Sequence, residues 1–153
     1  MTLDDAPPDQ ARLIASRDFV LDAPLPRVWD LLPASVIQGM PVEQMDVVSD
    51  TKMTAVLRAK LGPLEIPVPL KVEVVDVAPL QSFSTRILAQ KSLARSILLV
   101  AFTLTAVSDD ETRVTCTARE ASGSLVMRLL RWQQRHFADG IFSSIQKRLE
   151  RAC

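Results

Sequence analysis

Residues 52–77 constrain the fold more than any other stretch. In KMTAVLRAKLGPLEIPVPLKVEVVDV, Met53, Ala55, Leu57, Ala59 and Leu61 alternate with Lys52, Thr54, Arg58 and Lys60. After Gly62-Pro63 the alternation resumes, with Leu64, Ile66, Val68, Leu70, Val72 and Val74 on one side. A period of two sends successive side chains to opposite faces of a strand. One apolar and one polar face describe antiparallel strands with water on one side, here joined by a tight Gly-Pro turn. Pro67 and Pro69 fall on the opposite face, and neither can donate to a ladder, so an edge or a bulge is expected there.

Strand-like runs also cover residues 42–49, 80–90, 96–107 and 112–121. Turns separate them at Asp50-Thr51, Ala78-Pro79 and the polar Ser108-Asp109-Asp110-Glu111, with a loop over 91–95. A first strand spans 13–22, where Leu13, Ala15, Phe19 and Leu21 share a side that Arg17 interrupts. Next comes APLPRVWDLLP, in which Pro24 and Pro26 suit the opening of a helix. Val28, Trp29, Leu31 and Leu32 supply its apolar face, Pro33 ends it, and 35–39 form a second short helix closed by Gly39.

The chain closes on GSLVMRLLRWQQRHFADGIFSSIQKRLER, residues 123–151. Val126, Leu129, Leu130, Phe137, Ile141 and Ile145 recur at helical spacing, with Ser122 or Ser124 as a cap. About 26 residues at 1.5 Å each span about 39 Å, enough to cross a small sheet. Strand, short helices, about six strands and one long helix imply an α+β fold whose long sheet curls around that helix.

The 153 residues suit one domain, with 1–11 as a flexible tail and 12–153 as the folded unit. Net charge is zero, so no global field favours nucleic acid. From Arg128 to Arg151, six Lys or Arg face Asp139 and Glu150, which makes the long helix locally +4 and the remainder −4. Cys116 and Cys153 give no disulfide framework, and the acidic N-terminus lacks the apolar core of a secretory signal, so a cytoplasmic location is expected. The longest apolar run, ILLVAF at 97–102, is too short to span a bilayer, which leaves peripheral membrane contact as the only kind expected.

Phe19-Val-Leu-Asp-Ala-Pro-Leu-Pro-Arg-Val-Trp-Asp-Leu-Leu32, the Lys60-Leu-Gly-Pro63 turn and the last strand leading into Gly123 and the long helix carry a resemblance. Together they resemble the START and polyketide-cyclase superfamily with its helix-grip fold, most closely the G-type subunits of carbon monoxide dehydrogenase. The likeness covers most of residues 13–150. In Gln38-Gly39-Met40-Pro41 the Pro-Gly order of those proteins is reversed. The resemblance implies a deep apolar cavity between sheet and long helix for lipids, quinones or polyketides.

On the helix face shared with Val126 and Phe137, Gln133, Gly140 and Ser144 stand where large apolar residues are expected. A glycine inside a helix disfavours it by about 1 kcal/mol relative to Ala, so Gly140 implies space for a ligand or a closely packed strand. Trp29, Gln133, Phe137, Gly140, Ile141 and Ser144 are therefore the expected ligand-binding residues, with Trp29 read as core or as cavity mouth. Arg128, Arg131, Trp132 and Arg135 form a basic surface for an anionic membrane or an acidic partner such as a redox enzyme, set against a merely solvated helix back. His136, the only histidine, is read as a flank residue. No cofactor or metal is expected, since no His or Cys set has ligand spacing, and no catalytic residues are assigned. Residues 96–107 are apolar on both faces, so the outer one calls for a cover such as a second copy. The leading functional expectation is a non-enzymatic carrier of an apolar small molecule. The alternatives are a cyclase or hydratase, and an interaction module whose cavity is filled by side chains.

Overall fold

A computed structural model of the protein describes residues 12–40, 42–61, 63–91, 94–123 and 131–153. The elements in chain order are β1 (Arg12–Leu21), α1 (Leu25–Gly39), β2 (Glu43–Ser49), β3 (Lys52–Leu61), β4 (Leu64–Ala78), β5 (Ser82–Lys91), β6 (Ala94–Ser108), β7 (Glu111–Gly123) and α2 (Arg131–Ala152). All seven strands join one antiparallel sheet in the order β1-β7-β6-β5-β4-β3-β2. Strands β2 to β7 pair with their chain neighbours, as tight connections dictate, while β1 comes back to close on β7. The α+β class and the curved sheet beneath a C-terminal helix are those expected.

The alternating runs form β3 and β4, paired from Lys52↔Glu73 to Leu61↔Leu64. The described β4–β5 pairs begin at Leu70↔Ala89, just past Pro67 and Pro69, whose rings leave no N–H to donate to a ladder. At the other end of β4, Gln81 N–H donates to the Ala78 carbonyl at 2.9 Å in a Pro79-Leu80 turn, and Leu80 takes φ 63°. Between β5 and β6 the loop is shorter than expected: Lys91 pairs with Ala94, leaving a two-residue connection.

Helix α1 also departs from expectation. It runs unbroken through Pro33 rather than as two short helices. Val28, Leu32 and Val36 recur every four residues and are all buried, and this stripe outweighs the loss of one helical N–H. Gly39 is not a left-handed cap; it is the last helical residue and is buried. A Cβ placed there would lie 3.1 Å from Ile145 Cγ1 and 3.4 Å from Ser144 Oγ, so the absent side chain lets α1 cross closely over α2.

β7 continues through Gly123, so the expected helix start at Ser122 falls in a strand; the start at Ser124 lies outside the described residues. The buried face of α2 is Ala138, Ile141, Phe142, Ile145 and Leu149, turned from the stripe expected through Phe137. An aromatic row ties the layers together. Trp29 of α1 meets Phe83 edge-on at 6.2 Å, Phe83 meets Phe102 at 4.9 Å, and Phe102 meets Phe142 of α2 edge-on at 6.3 Å.

Two glycines in helices therefore predict opposite outcomes. Gly140 has helical backbone and is exposed, and a Cβ there meets nothing within 4 Å. Gly140→Ala should stabilise the protein by about 0.5–1 kcal/mol. Gly39→Ala should destabilise it by about 1–3 kcal/mol, because the fully buried Ile145 cannot yield. Urea denaturation of both variants checks this, and equal effects of one sign would contradict it.

Candidate functional site

Cross-strand register decides which side chains share the concave face. One row runs Glu120–Leu98–Ile87–Val72–Met53 across β7, β6, β5, β4 and β3. Alongside it lie Ala89–Leu70–Ala55 and then Val68–Leu57. The helices approach the backbone most closely where α2 lies on α1 and β1 and α1 lies on β6 and β7, and aromatic contacts carry them onto Phe83 of β5 and Phe102 of β6. On the concave face Leu57, Leu70, Val72, Ile87 and Leu98 form an apolar floor, all but half-buried Leu57 buried within the core. Arg135 Nε donates to the Ile14 carbonyl at 3.2 Å, and Arg17 donates to Gln146 Oε1 at 3.3 Å, so α2 runs along β1 in the same direction. Its N-terminal half therefore lies toward the end of the sheet that carries this floor.

The helices cross where Gly39 meets Ser144 and Ile145. One turn earlier on α2, Phe137 is half-buried against the core and Gly140 faces open space. Past Gly39 the chain continues with Met40 buried and Val42 packed against the core, while Gly140 lies on the exposed face of α2.

Polar groups on the concave side hold the fold together. Thr85 Oγ1 donates to the Val100 carbonyl at 3.2 Å, and Thr112 Oγ1 donates to the Ala23 carbonyl at 2.8 Å. The side chain of Arg17, opposite buried Cys116, explains the interrupted alternation of β1: it reaches Gln146, whose Nε2 donates in turn to Glu150 at 2.8 Å. Burial pushes the Cys116 thiol up to about 12; Arg17 pulls the other way, and Asp18 adds to the rise. Such a thiol stays protonated near neutral pH and is no nucleophile.

On the convex side, Glu73 accepts from Arg86 at 2.8 Å and pairs with Lys71 at 3.2 Å. The Arg86 hydrogen bond is the largest influence on its carboxyl and, with Lys71, holds it below the ordinary value despite burial. Ile97 and Leu88 pair on this face and are both buried within the chain, and Leu99 sits half-buried between Arg86 and Arg119. The cover expected from a second copy is thus supplied in large part by the chain's own side chains.

Among the expected site residues, Ile141 is buried, Phe137 is half-buried beside it, and Ser144 is half-buried against Gly39 of α1. Trp29 is half-buried in the aromatic row, at the end covered by α1. The close packing expected as one reading of Gly140 is absent. The side chains of Arg131, Trp132 and Gln133, and Arg128 altogether, lie outside the described residues. Arg135 is exposed but tied to β1 rather than standing free as a basic surface, and His136 is exposed. Sequence reading missed Phe142, Leu149 and the Arg17–Gln146 link; the break in β1 alternation at Arg17 was its one visible signal. The described residues hold no group of three or more His, Cys, Asp or Glu placed for a metal, and no described helix is long and apolar enough to cross a membrane.

This architecture is found among solved structures. A conserved protein from Geobacillus kaustophilus superposes with TM-score 0.69 at 17% identity, covering 90% of this chain and 95% of that one. A START superfamily protein from Mycobacterium smegmatis gives 0.62 at 9% identity, covering 91% and 98%. DynU16, a protein of the dynemicin biosynthetic locus, gives 0.53 at 16% identity, covering 90% of this chain and 45% of its own. No family model and no curated protein matches the sequence. The fold is thus the START-like helix-grip fold.

The convex ion pair carries a pH prediction. Because Glu73's folded pKa is lowered, its contribution is present above the ordinary value of 4.5 and lost as pH falls through the folded value. Glu73→Gln should cost about 1 kcal/mol at pH 7. Urea denaturation at pH 7 and pH 3 should show the gap to wild type narrowing at low pH. An unchanged gap would contradict the assignment.

Proposed function

We propose that the protein is a non-enzymatic carrier of an apolar small molecule, of lipid or quinone type, held between the β3–β6 floor and the N-terminal half of α2. The observation that carries this reading is the continuous apolar floor of Leu57, Leu70, Val72, Ile87 and Leu98 on the concave face, at the end of the sheet toward which the N-terminal half of α2 runs. Ligand sites are concave and mostly apolar, with a few polar groups. The structural neighbours support it further, since a START superfamily protein shares the fold.

Phe137 and Ile141 would line the α2 side, Gly140 and Ser144 would border an entrance along the exposed flank of that helix, and Gln133 would lie one helical repeat earlier. Trp29 would stiffen the floor through Phe83 rather than touch the ligand. Carriage is favoured over cyclase or hydratase chemistry because Arg17, Thr85 and Thr112 are engaged in structural hydrogen bonds and the Cys116 thiol is inert. Delivery to a redox enzyme is the finer reading; its support is the likeness of residues 19–32 and 60–63 to the G-type subunits of carbon monoxide dehydrogenase. Action in the cytoplasm, at times on a membrane surface through the basic helix, completes the proposal.

Organic extraction of the natively purified protein followed by mass spectrometry should release an apolar molecule in near-stoichiometric amount. An empty extract, with no uptake of added long-chain alcohols or quinones, would overturn carriage. Gly140→Leu should slow uptake several-fold with no loss of stability, because open space surrounds the position. Unchanged uptake would remove Gly140 from the border of the entrance.

A further inference from the structure

The concave face of β7 reads Val114, Cys116, Ala118 and then Glu120. The first three are fully buried. Glu120 is directly opposite Leu98 in β6, and Leu98 is a buried member of the core, so the carboxylate is on the same concave side. Across β1 it faces the exposed Arg12, yet the described ion pairs join only Arg58 to Glu43, and Lys71 and Arg86 to Glu73. Glu120 is half-buried and has no hydrogen-bond partner among the described residues, whereas Arg17, Thr85 and Thr112 on the same face all have one. A carboxylate brought onto an apolar wall without a partner is costly unless water or a ligand satisfies it. Its row continues through Leu98, Ile87 and Val72, the floor assigned above to the ligand.

We infer that Glu120 is the polar handle of this chamber and selects an apolar molecule that carries a hydrogen-bond donor, a hydroxyl or a protonated amine, over one that ends in a carboxylate. The inference rests on the carrier reading and adds the ligand's chemical class to it. An ionised acceptor makes hydrogen bonds about twice as strong as a neutral one, and it repels an anionic head group. The five-membered row then has a division of labour: Met53, Val72, Ile87 and Leu98 bind the chain of the ligand and Glu120 orients its head.

The test uses the full chain and three probes of equal length: dodecylamine, dodecanol and laurate. Wild type should bind the amine and the alcohol roughly tenfold or more tightly than laurate by isothermal titration. Glu120→Gln should lose most of this preference while binding dodecanol within about twofold of wild type. Glu120→Ala should repeat the loss; because Gln keeps the shape of the side chain, its matching loss assigns the preference to the carboxylate rather than to packing. Binding of all three probes with no preference, or the same preference in both variants, would overturn the role of Glu120 and leave the carrier reading standing. Failure of wild type to bind any probe would overturn both.

Discussion

The position of α2 depends on a gap the size of a missing methyl group. At Gly39 the backbone of α1 approaches Ile145 closely enough that a Cβ would stand 3.1 Å from Cγ1. That contact sets how near the two helices run. Interiors are packed to crystal-like density, so a side chain here would have to push α2 off the sheet or away from β1. With the crossing in place, Phe142 lies on Phe102 and Leu149 and Ile145 are fully buried. The crossing also sets where the chain leaves α1. Past that point Met40 and Val42 continue against the core, and Gly140 stays on the exposed face of α2.

Polar interactions then hold α2 to the edge strand. Arg17 reaches up from the concave side of β1 to Gln146, and Arg135 reaches down from α2 to the Ile14 carbonyl beside the β1 irregularity at Leu13/Ala15. Two tethers on one edge anchor α2 along β1. The convex face works differently: Lys71, Glu73 and Arg86 form an ion-pair cluster, and the buried pair Leu88 and Ile97 lies beside it. One face is thus held by charge pairs and long side-chain stems. The other is apolar except at a few engaged groups and Glu120.

Much of this is legible in the sequence where a single physical period dominates. β3 and β4 are readable almost to the residue, because one face of each is wet and one dry. The resemblance carried by residues 19–32 and the 60–63 turn points to the right fold. Legibility fails where tertiary contacts decide. Pro33 signals a helix end locally, yet the buried stripe Val28, Leu32, Val36 carries α1 through it. Gly39 reads locally as a cap, because nothing in the neighbouring sequence says that Ile145 lies against it. The stripe of α2 reads too near Phe137, since Val126, Leu129 and Leu130 pull the apparent phase and leave Phe142 out. Arg17 is visible as a break in alternation, but its partner is 129 residues away. Gly140 stands out correctly as unusual; only the structure distinguishes open space from close packing there.

The central claim is that the concave floor of β3–β6, toward which the N-terminal half of α2 runs, holds a ligand. Methyl NMR of the isotope-labelled protein, titrated with dodecanol, addresses it residue by residue. Shifts are expected at Leu57, Leu70, Ile87 and Leu98, with Leu32, Leu104 and Val114 unmoved. Shifts confined to the convex Leu88, Ile97 and Leu99, or spread evenly over both sets, would contradict it.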